Sequence, residues 1–273
     1  MAASFPHTLI PLVCSITLLL ALATTPGDAT SFSYNFNQKP DPLNSMSLQG
    51  DAHYLKDTDE IGLIRLTKTD ESGKALNYSA GRAVYLVPFK FWGDGMQVDF
   101  ETTMKFIINP NSGDTDPADG FTFFIEPVDA PMGANGASFG EFNYFGSKRS
   151  TFAIEFDIHQ DRNDPSYPHV GIDIETIDSV VTMEVGNELI GQVVTARIDY
   201  KAATSVISVK VTIGSKTYEV SYVKDLSTVL PQEVQFGFSA ATGDRVAVHD
   251  LISWEFSTTP NTVNGSSGIR QVV

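Results

Sequence analysis

Apolar residues recur at every second position through most of this chain. Phe32, Tyr34 and Phe36 share one face of an extended segment, and Val98, Phe100, Met104, Phe106 and Ile108 share one face of another. The spacing returns at Phe152, Ile154 and Phe156, then at Ile207, Val209, Val211 and Ile213. It continues at Tyr218, Val220 and Tyr222, at Val234, Phe236 and Phe238, and finally at Ile252, Trp254 and Phe256. Period-two alternation puts apolar groups on one side of a pleated strand, so each run predicts a half-buried strand. Turn-formers separate the runs: Asn111 to Asp114, Gly133 to Gly136, Asp161 to Pro168, and Gly214-Ser215. No stretch of useful length shows a helical period. Many short strands between Gly, Pro, Asn and Asp breaks predict an all-β sandwich. No repeat or low-complexity linker divides it, and residues 258–273 read as a polar tail rich in Ser, Thr, Asn and Gly.

The N-terminus departs from this pattern. Leu9 to Ala23 is apolar, short for a membrane span, and followed by small residues at Gly27-Asp28-Ala29. A secretory signal peptide over residues 1–29 fits, although His7 is the sole basic group ahead of it; a buried core strand is the alternative. Cys14 lies inside that leader, so the mature chain would carry no cysteine and would rely on its core. Residues 30–257 then suffice for one large domain. The formal charge of −15 argues against nucleic acid or an anionic membrane as partner. The sequons at Asn77 and Asn264 fit a secreted or vacuolar glycoprotein.

Chemistry concentrates between Phe152 and Asp173, which reads FAIEFDIHQDRNDPSYPHVGID. Glu155 and Asp157 lie two apart on a strand, so they project together, opposite Phe156. Asp161, Asp164 and His169 follow within one loop. Such carboxylates repel one another unless a cation lies between them. Oxygen ligands suit calcium, and the histidine adds a nitrogen suited to a transition ion such as manganese. An acidic surface loop is the plain alternative.

This segment resembles the metal-binding loop of the legume lectins. The resemblance runs from Ser31-Phe32-Ser33-Tyr34-Asn35-Phe36 through Gly81-Arg82-Ala83-Val84-Tyr85 to His249-Asp250-Leu251-Ile252-Ser253-Trp254. It implies a jelly-roll β-sandwich of the concanavalin-A type, with a flat back sheet, a curved front sheet and a small top sheet. It assigns Glu155 and His169 to a transition metal such as Mn2+, and Asp157 and Asp164 to both ions. The carbonyl of His159 and the side chain of Asp161 complete a Ca2+ site. It also implies a homodimer or dimer of dimers.

Three further segments match the family's sugar-binding positions. Ala118-Asp119-Gly120 resembles its Ala-Asp-Gly motif, where a cis peptide, held by the metal site, aims the Asp at two sugar hydroxyls. Ala137, in the glycine-rich run Gly133 to Gly140, stands where the family offers a main-chain N–H. Ala240 to His249 matches the short loop of mannose/glucose binders, with Asp244 and Arg245 offering N–H groups. Read without the resemblance, these are a turn residue, a flexible loop and a surface hairpin. Two positions depart from the pattern. His159 replaces an aromatic platform, and Asp161 replaces an Asn that binds calcium and donates to the sugar; a carboxylate cannot donate.

The expected function is a secreted, Ca2+/Mn2+-dependent lectin that binds glycans and performs no reaction on them. The alternative is a lectin-like storage or defence protein with a metal site and weak or absent sugar binding. A glycosidase on the same fold would need a second carboxylate after Glu155-Phe156-Asp157, where His159 and Gln160 stand instead.

Overall fold

The computed structural model describes residues 29–36, 44–56, 62–143, 147–161 and 164–262. Its first strands are β1 (Ser31–Asn35), β2 (Met46–Gly50), β3 (His53–Lys56), β4 (Gly62–Arg65), β5 (Ala80–Tyr85) and β6 (Phe89–Lys90). Then come β7 (Trp92–Gly93), β8 (Met96–Pro110), β9 (Gly120–Pro127), β10 (Phe152–Asp157), β11 (His169–Ile174) and β12 (Val181–Glu184). The last are β13 (Val193–Lys201), β14 (Val206–Ile213), β15 (Lys216–Val223), β16 (Glu233–Ala241) and β17 (Ala247–Thr262). Among the described residues helix occurs only as short 3-10 turns, the longest at Gly136–Ser138, Gly186–Leu189 and Leu226–Thr228. The expected all-β class is therefore what forms. No helix among the described residues is long and apolar enough to cross a membrane.

All of these strands fall in two antiparallel sheets. One runs β15-β14-β13-β8-β17-β4-β3, with β1 on β17 and β7 on β8. The other runs β12-β11-β10-β9-β16-β5-β2, with β6 on β16. A separate third sheet is not present among the described residues; the shortest strands, β6 and β7, pair with the large sheets instead. Sequence neighbours such as β8 and β9 lie in different sheets, so the core closes through long-range pairings.

The inward faces meet in an aromatic core. Phe106 stacks on Phe121 with ring centroids 4.3 Å apart, and Phe236 stacks on Phe256 at 4.1 Å. Trp254 sits edge-on to Phe238 at 4.7 Å and donates its Nε1–H to Thr102 at 2.9 Å. Offset and edge-to-face geometries suit ring quadrupoles.

The structure corrects the period-two reading in three places. Leu251 is buried with Trp254 and Phe256 while Ile252 is only half-buried, because a bulge between Leu251 and Ser253 inserts one residue and inverts the alternation. The expected polar tail is strand as far as Thr262, since Thr258–Thr262 pair with Phe100–Met96. Strands β9 and β10 are buried on both faces, not one. Phe124, Phe142, Ala153 and Val84 form a second apolar cluster, separate from the main core. Beside it Arg82 lies 4.4 Å over the Phe124 ring and pairs with Glu126, which also takes Arg149 at 2.8 Å.

Phe106→Ala removes a ring packed on both Phe121 and Phe156, at 4.3 and 4.7 Å. It should lower unfolding stability by about 3–5 kcal/mol. The urea midpoint reads this, and an unshifted midpoint would contradict the packing described.

Candidate functional site

Strand β10 lies between β9 and β11, and its register assembles the site. Glu155 stands opposite Thr122 and Gly171, while Asp157 stands opposite Gly120 and His169. Alternation turns Phe156 into the core and both carboxylates to the outer face, where loops cover them. Glu155, Asp157 and His169 each bring a ligand atom within 4.8 Å of the others, and all three are buried. The His169 Nδ1–H donates to the Tyr167 carbonyl at 3.3 Å, and its Nε2 faces Glu155 Oε1 at 3.1 Å. A carbonyl that fixes the ring in this way is what a metal-ligating imidazole requires.

The cluster is electrostatically unbalanced without a cation. Burial, then Glu155 and Asp164, hold Asp157 well above the usual carboxylate range, opposed by the His159 N–H that it accepts at 2.7 Å. Burial works to lower His169, but the neighbouring Glu155 and Asp164 raise it above its ordinary value. Two further residues escaped the sequence reading. Ser179 Oγ lies 2.6 Å from Glu155 Oε1 and 2.5 Å from Asp173 Oδ1. One hydroxyl proton cannot serve both carboxylates. Asp173 is fully buried with Oδ2 unpartnered, and burial followed by Glu155 pushes it far upward. The donor set fits a divalent ion: buried oxygens in excess of their protons, beside an oriented imidazole.

Asp161 and Asp164 stand at the rim of this triad, not within it. The Asp161 N–H donates to Asp164 Oδ2 at 2.8 Å, and burial plus Asp164 raise Asp161. Arg162 and Asn163 lie outside the described residues. His159 gives its main-chain N–H to Asp157 and turns Nδ1 toward Asp116 Oδ1 at 3.4 Å. Asp116 also takes Arg245 at 3.2 Å, so a residue the sequence did not single out ties two predicted positions together.

The remaining predicted positions converge next to the cluster. The Ala118–Asp119 peptide is cis. Asp119 is spliced between two loops: its N–H donates to the Ala241 carbonyl at 3.2 Å, and its carbonyl accepts from Ile158 at 3.1 Å. A Cβ at Gly120 would lie 2.6 Å from both the Phe139 ring and the Phe156 carbonyl, so glycine is what lets this loop sit against β10. Asp119 is nearly buried, with Oδ2 unpartnered. Burial, then Asp161, push it up to about 7, with Asp244 adding and a Gly243 N–H opposing. Ala137 is the middle of the turn Gly136–Ser138, and the left-handed φ falls on Gly136, at +67°, not on Ala137. The Gly136 N–H donates to Thr242 at 3.3 Å, which joins this turn to the loop bearing Asp244 and Arg245. Both of those residues are exposed. Of the sequons, Asn77 is exposed and Asn264 lies outside the described residues, as does the expected leader up to Asp28.

A family model, the legume lectin domain, matches residues 29–270. The chain belongs to the legume lectin family. Agglutinin-2 of Cladrastis kentukea is 37% identical over 263 residues, covering 91% of this chain and 88% of the agglutinin. Winged bean acidic lectin, solved with methyl-alpha-D-galactose, is 32% identical with a TM-score of 0.77, over 86% of this chain and 100% of that one. Basic winged bean lectin, solved with Tn-antigen, is 31% identical with a TM-score of 0.77, over 85% and 99%. Legume lectins are non-catalytic, and this member is not an enzyme.

Gly171 offers a direct test of the metal reading. A Cβ there would lie 1.9 Å from Ser179 Oγ and 2.3 Å from Glu155 Oε1. Gly171→Ala should displace Glu155 and weaken Mn2+ binding about 10- to 100-fold, measured by titration of free Mn2+ by electron paramagnetic resonance. Unchanged affinity would remove Glu155 from the ligand set.

Proposed function

We propose that this legume lectin family member is a secreted glycan-binding protein whose site depends on Ca2+ and Mn2+. The observation that carries the reading is the splice of Asp119 between Ile158, next to the Asp157 ligand, and Ala241, at the head of the Asp244–Arg245 loop. In this reading Glu155, Asp157, Asp164 and His169 hold the transition ion, and Asp157, Asp161, Asp164 and the His159 carbonyl hold calcium. The bound ions supply the positive charge that lets the buried carboxylates stay ionised together. Asp119 then accepts from two sugar hydroxyls. Ala137, Asp244 and Arg245 offer main-chain N–H groups, and the His159 ring gives a small platform.

The short Ala240 to His249 loop favours mannose or glucose over galactose. The galactoside in winged bean acidic lectin makes galactose the competitor to test. The apolar stretch Leu9 to Ala23 and the sequons support the secretory pathway, in extracellular or vacuolar space. Assembly as a homodimer or dimer of dimers belongs to the same proposal.

Asp161 favours a second reading, a storage or defence protein with intact metals and little sugar affinity. Asp119 and Asp161 are acceptors close enough for Asp161 to raise Asp119. A ligand must donate to both, whereas Asn at 161 would both donate and relieve the repulsion. Asp161→Asn should strengthen methyl α-mannoside binding about ten- to a hundredfold, the equivalent of about 1–3 kcal/mol. Isothermal titration of the Ca2+- and Mn2+-loaded protein reads this, with methyl α-galactoside in parallel. Mannoside binding that vanishes in chelator supports the lectin reading. Metals bound with no glycoside retained, and recovery in the Asn variant, supports the second.

A further inference from the structure

Four charged side chains outside the metal and sugar positions meet at the neck of the loop that carries Ala137. Arg82 of β5, Glu126 of β9 and Glu141 are fully buried, and the Arg149 side chain, ahead of β10, is 10% exposed. The two limbs of the loop are cinched there. The Gly133 N–H donates to the Gly140 carbonyl at 2.8 Å, Ala134 to Phe142 at 2.9 Å, and Gly140 to Ala134 at 2.8 Å. A Cβ at Gly133 would lie 2.4 Å from the Glu141 carbonyl carbon, so glycine is what lets the limbs meet. The arginines hold the same neck. Arg149 donates to the carbonyls of Glu141 and, at 2.8 Å, Pro131, while Arg82 donates to that of Ala130 at 3.5 Å. At the tip the Gly136 N–H reaches Thr242, so the set of the neck passes to Ala137 and to the Asp244 loop.

The two glutamates are not equivalent. Glu126 accepts from Arg82 and, at 2.9 Å, Gln235 on Oε1, and from Arg149 at 2.8 Å on Oε2. Those three donors leave about one acceptor position on its carboxylate. Glu141 has no donor on either oxygen among the described residues, and Arg82 Nε, also unpartnered, stands 3.8 Å away. Glu126 and Glu141 are close enough to hydrogen-bond, but two carboxylates have no donor between them. A proton on Glu141 supplies it. Burial, then Glu126, hold Glu141 well above the usual carboxylate range, opposed by Arg82 and Arg149. Both arginines stay charged across the working range, which leaves the proton with the Glu141–Glu126 pair. Apolar residues of the same volume fill such a space with equal or greater stability. What the charged set adds is a bond between loop and β9 that depends on a proton.

We propose that Glu141 is a positioning residue for the glycan site: its protonated carboxyl donates to Glu126 and closes the neck that sets Ala137 against the Asp244 loop. The closed loop binds this proton more tightly than an open or unfolded one. Its contribution is therefore full below the ordinary glutamate range and is lost as pH rises through the raised value. Mildly acidic conditions favour the closed neck and binding at the Asp119 face. The proposal rests on the glycan-binding reading above and deepens it with a regulation of the same site.

E141Q carries a neutral donor at every pH and is the reference. Amide exchange at Gly133, Ala134 and Gly140, taken as the ratio of wild type to E141Q, should be one at about pH 5 and about tenfold faster in wild type at about pH 8, the factor of one pKa unit between the two loop states. Titrations of both proteins with methyl α-mannoside and methyl α-galactoside, in saturating Ca2+ and Mn2+, should show the same change in affinity ratio, because the metal ligands are common to both. In wild type labelled with carbon-13 at the glutamate carboxyls, one glutamate should titrate well above the others and in step with the Gly140 amide. That measurement does not need the variant to fold, and the label excludes Asp119, Asp157 and Asp173. No such carboxyl, or an exchange ratio independent of pH, overturns the proposal. An exchange ratio that moves while the affinity ratio stays constant overturns the control of sugar binding and leaves the glycan reading standing. Failure of both proteins to bind either glycoside at any pH overturns the glycan reading and its regulation with it.

Discussion

Mutual repulsion among buried carboxylates organises one end of this sandwich. Glu155, Asp157 and Asp173 are all under 4% exposed, and Asp164 acts on the charge of both Asp157 and Asp173. Among the described residues, direct partners relieve only part of that: one histidine, one serine hydroxyl and one main-chain N–H. A divalent cation is the economical counter-charge, because it binds several oxygens at once and orders the loop that carries them. Behind Phe156 the strands are held by an aromatic layer built from both sheets.

The same crowding sets up the face proposed for sugar. Asp119 reaches the cluster through one main-chain bond to Ile158 and reaches the Asp244 loop through another to Ala241. Any force that orders residues 157–161 therefore acts on both. Asp161 sits where these influences meet, a carboxylate near Asp119 and Asp164 alike. An Asn there would answer a sugar with a donor; an Asp answers with a second acceptor and more repulsion. In the proposed reading, Asp161 is at once a stronger cation ligand and a more demanding group for a sugar to meet.

Most of the fold was legible in the alternation, because strands with one face inward leave a period-two trace. Phe100, Met104, Phe106 and Ile108 are buried together as that trace requires. Ile252 was not legible: a bulge adds a residue without marking the sequence, so the apolar set passes to Leu251. The tail misled because its Ser and Thr residues are polar, yet Thr258 is buried and bonded to Thr30, just ahead of β1. In the site, Glu155, Asp157 and His169 were legible through spacing and resemblance. Ser179, Asp173 and Asp116 were not, since their roles come from cross-strand register and loop approach, which spacing along the chain does not encode.

In the proposed function the metal cluster and the Asp119 face act as one cooperative unit. Amide hydrogen exchange, with and without Ca2+ and Mn2+, tests that most directly. The amides of Ile158, Asp119 and Gly136 each bond across a different junction of the loops. Metal addition should slow exchange at all three, out to the residues that carry Asp244. Protection confined to residues 155–173, with Asp119 and Gly136 exchanging as before, would contradict the coupling on which the proposed function rests.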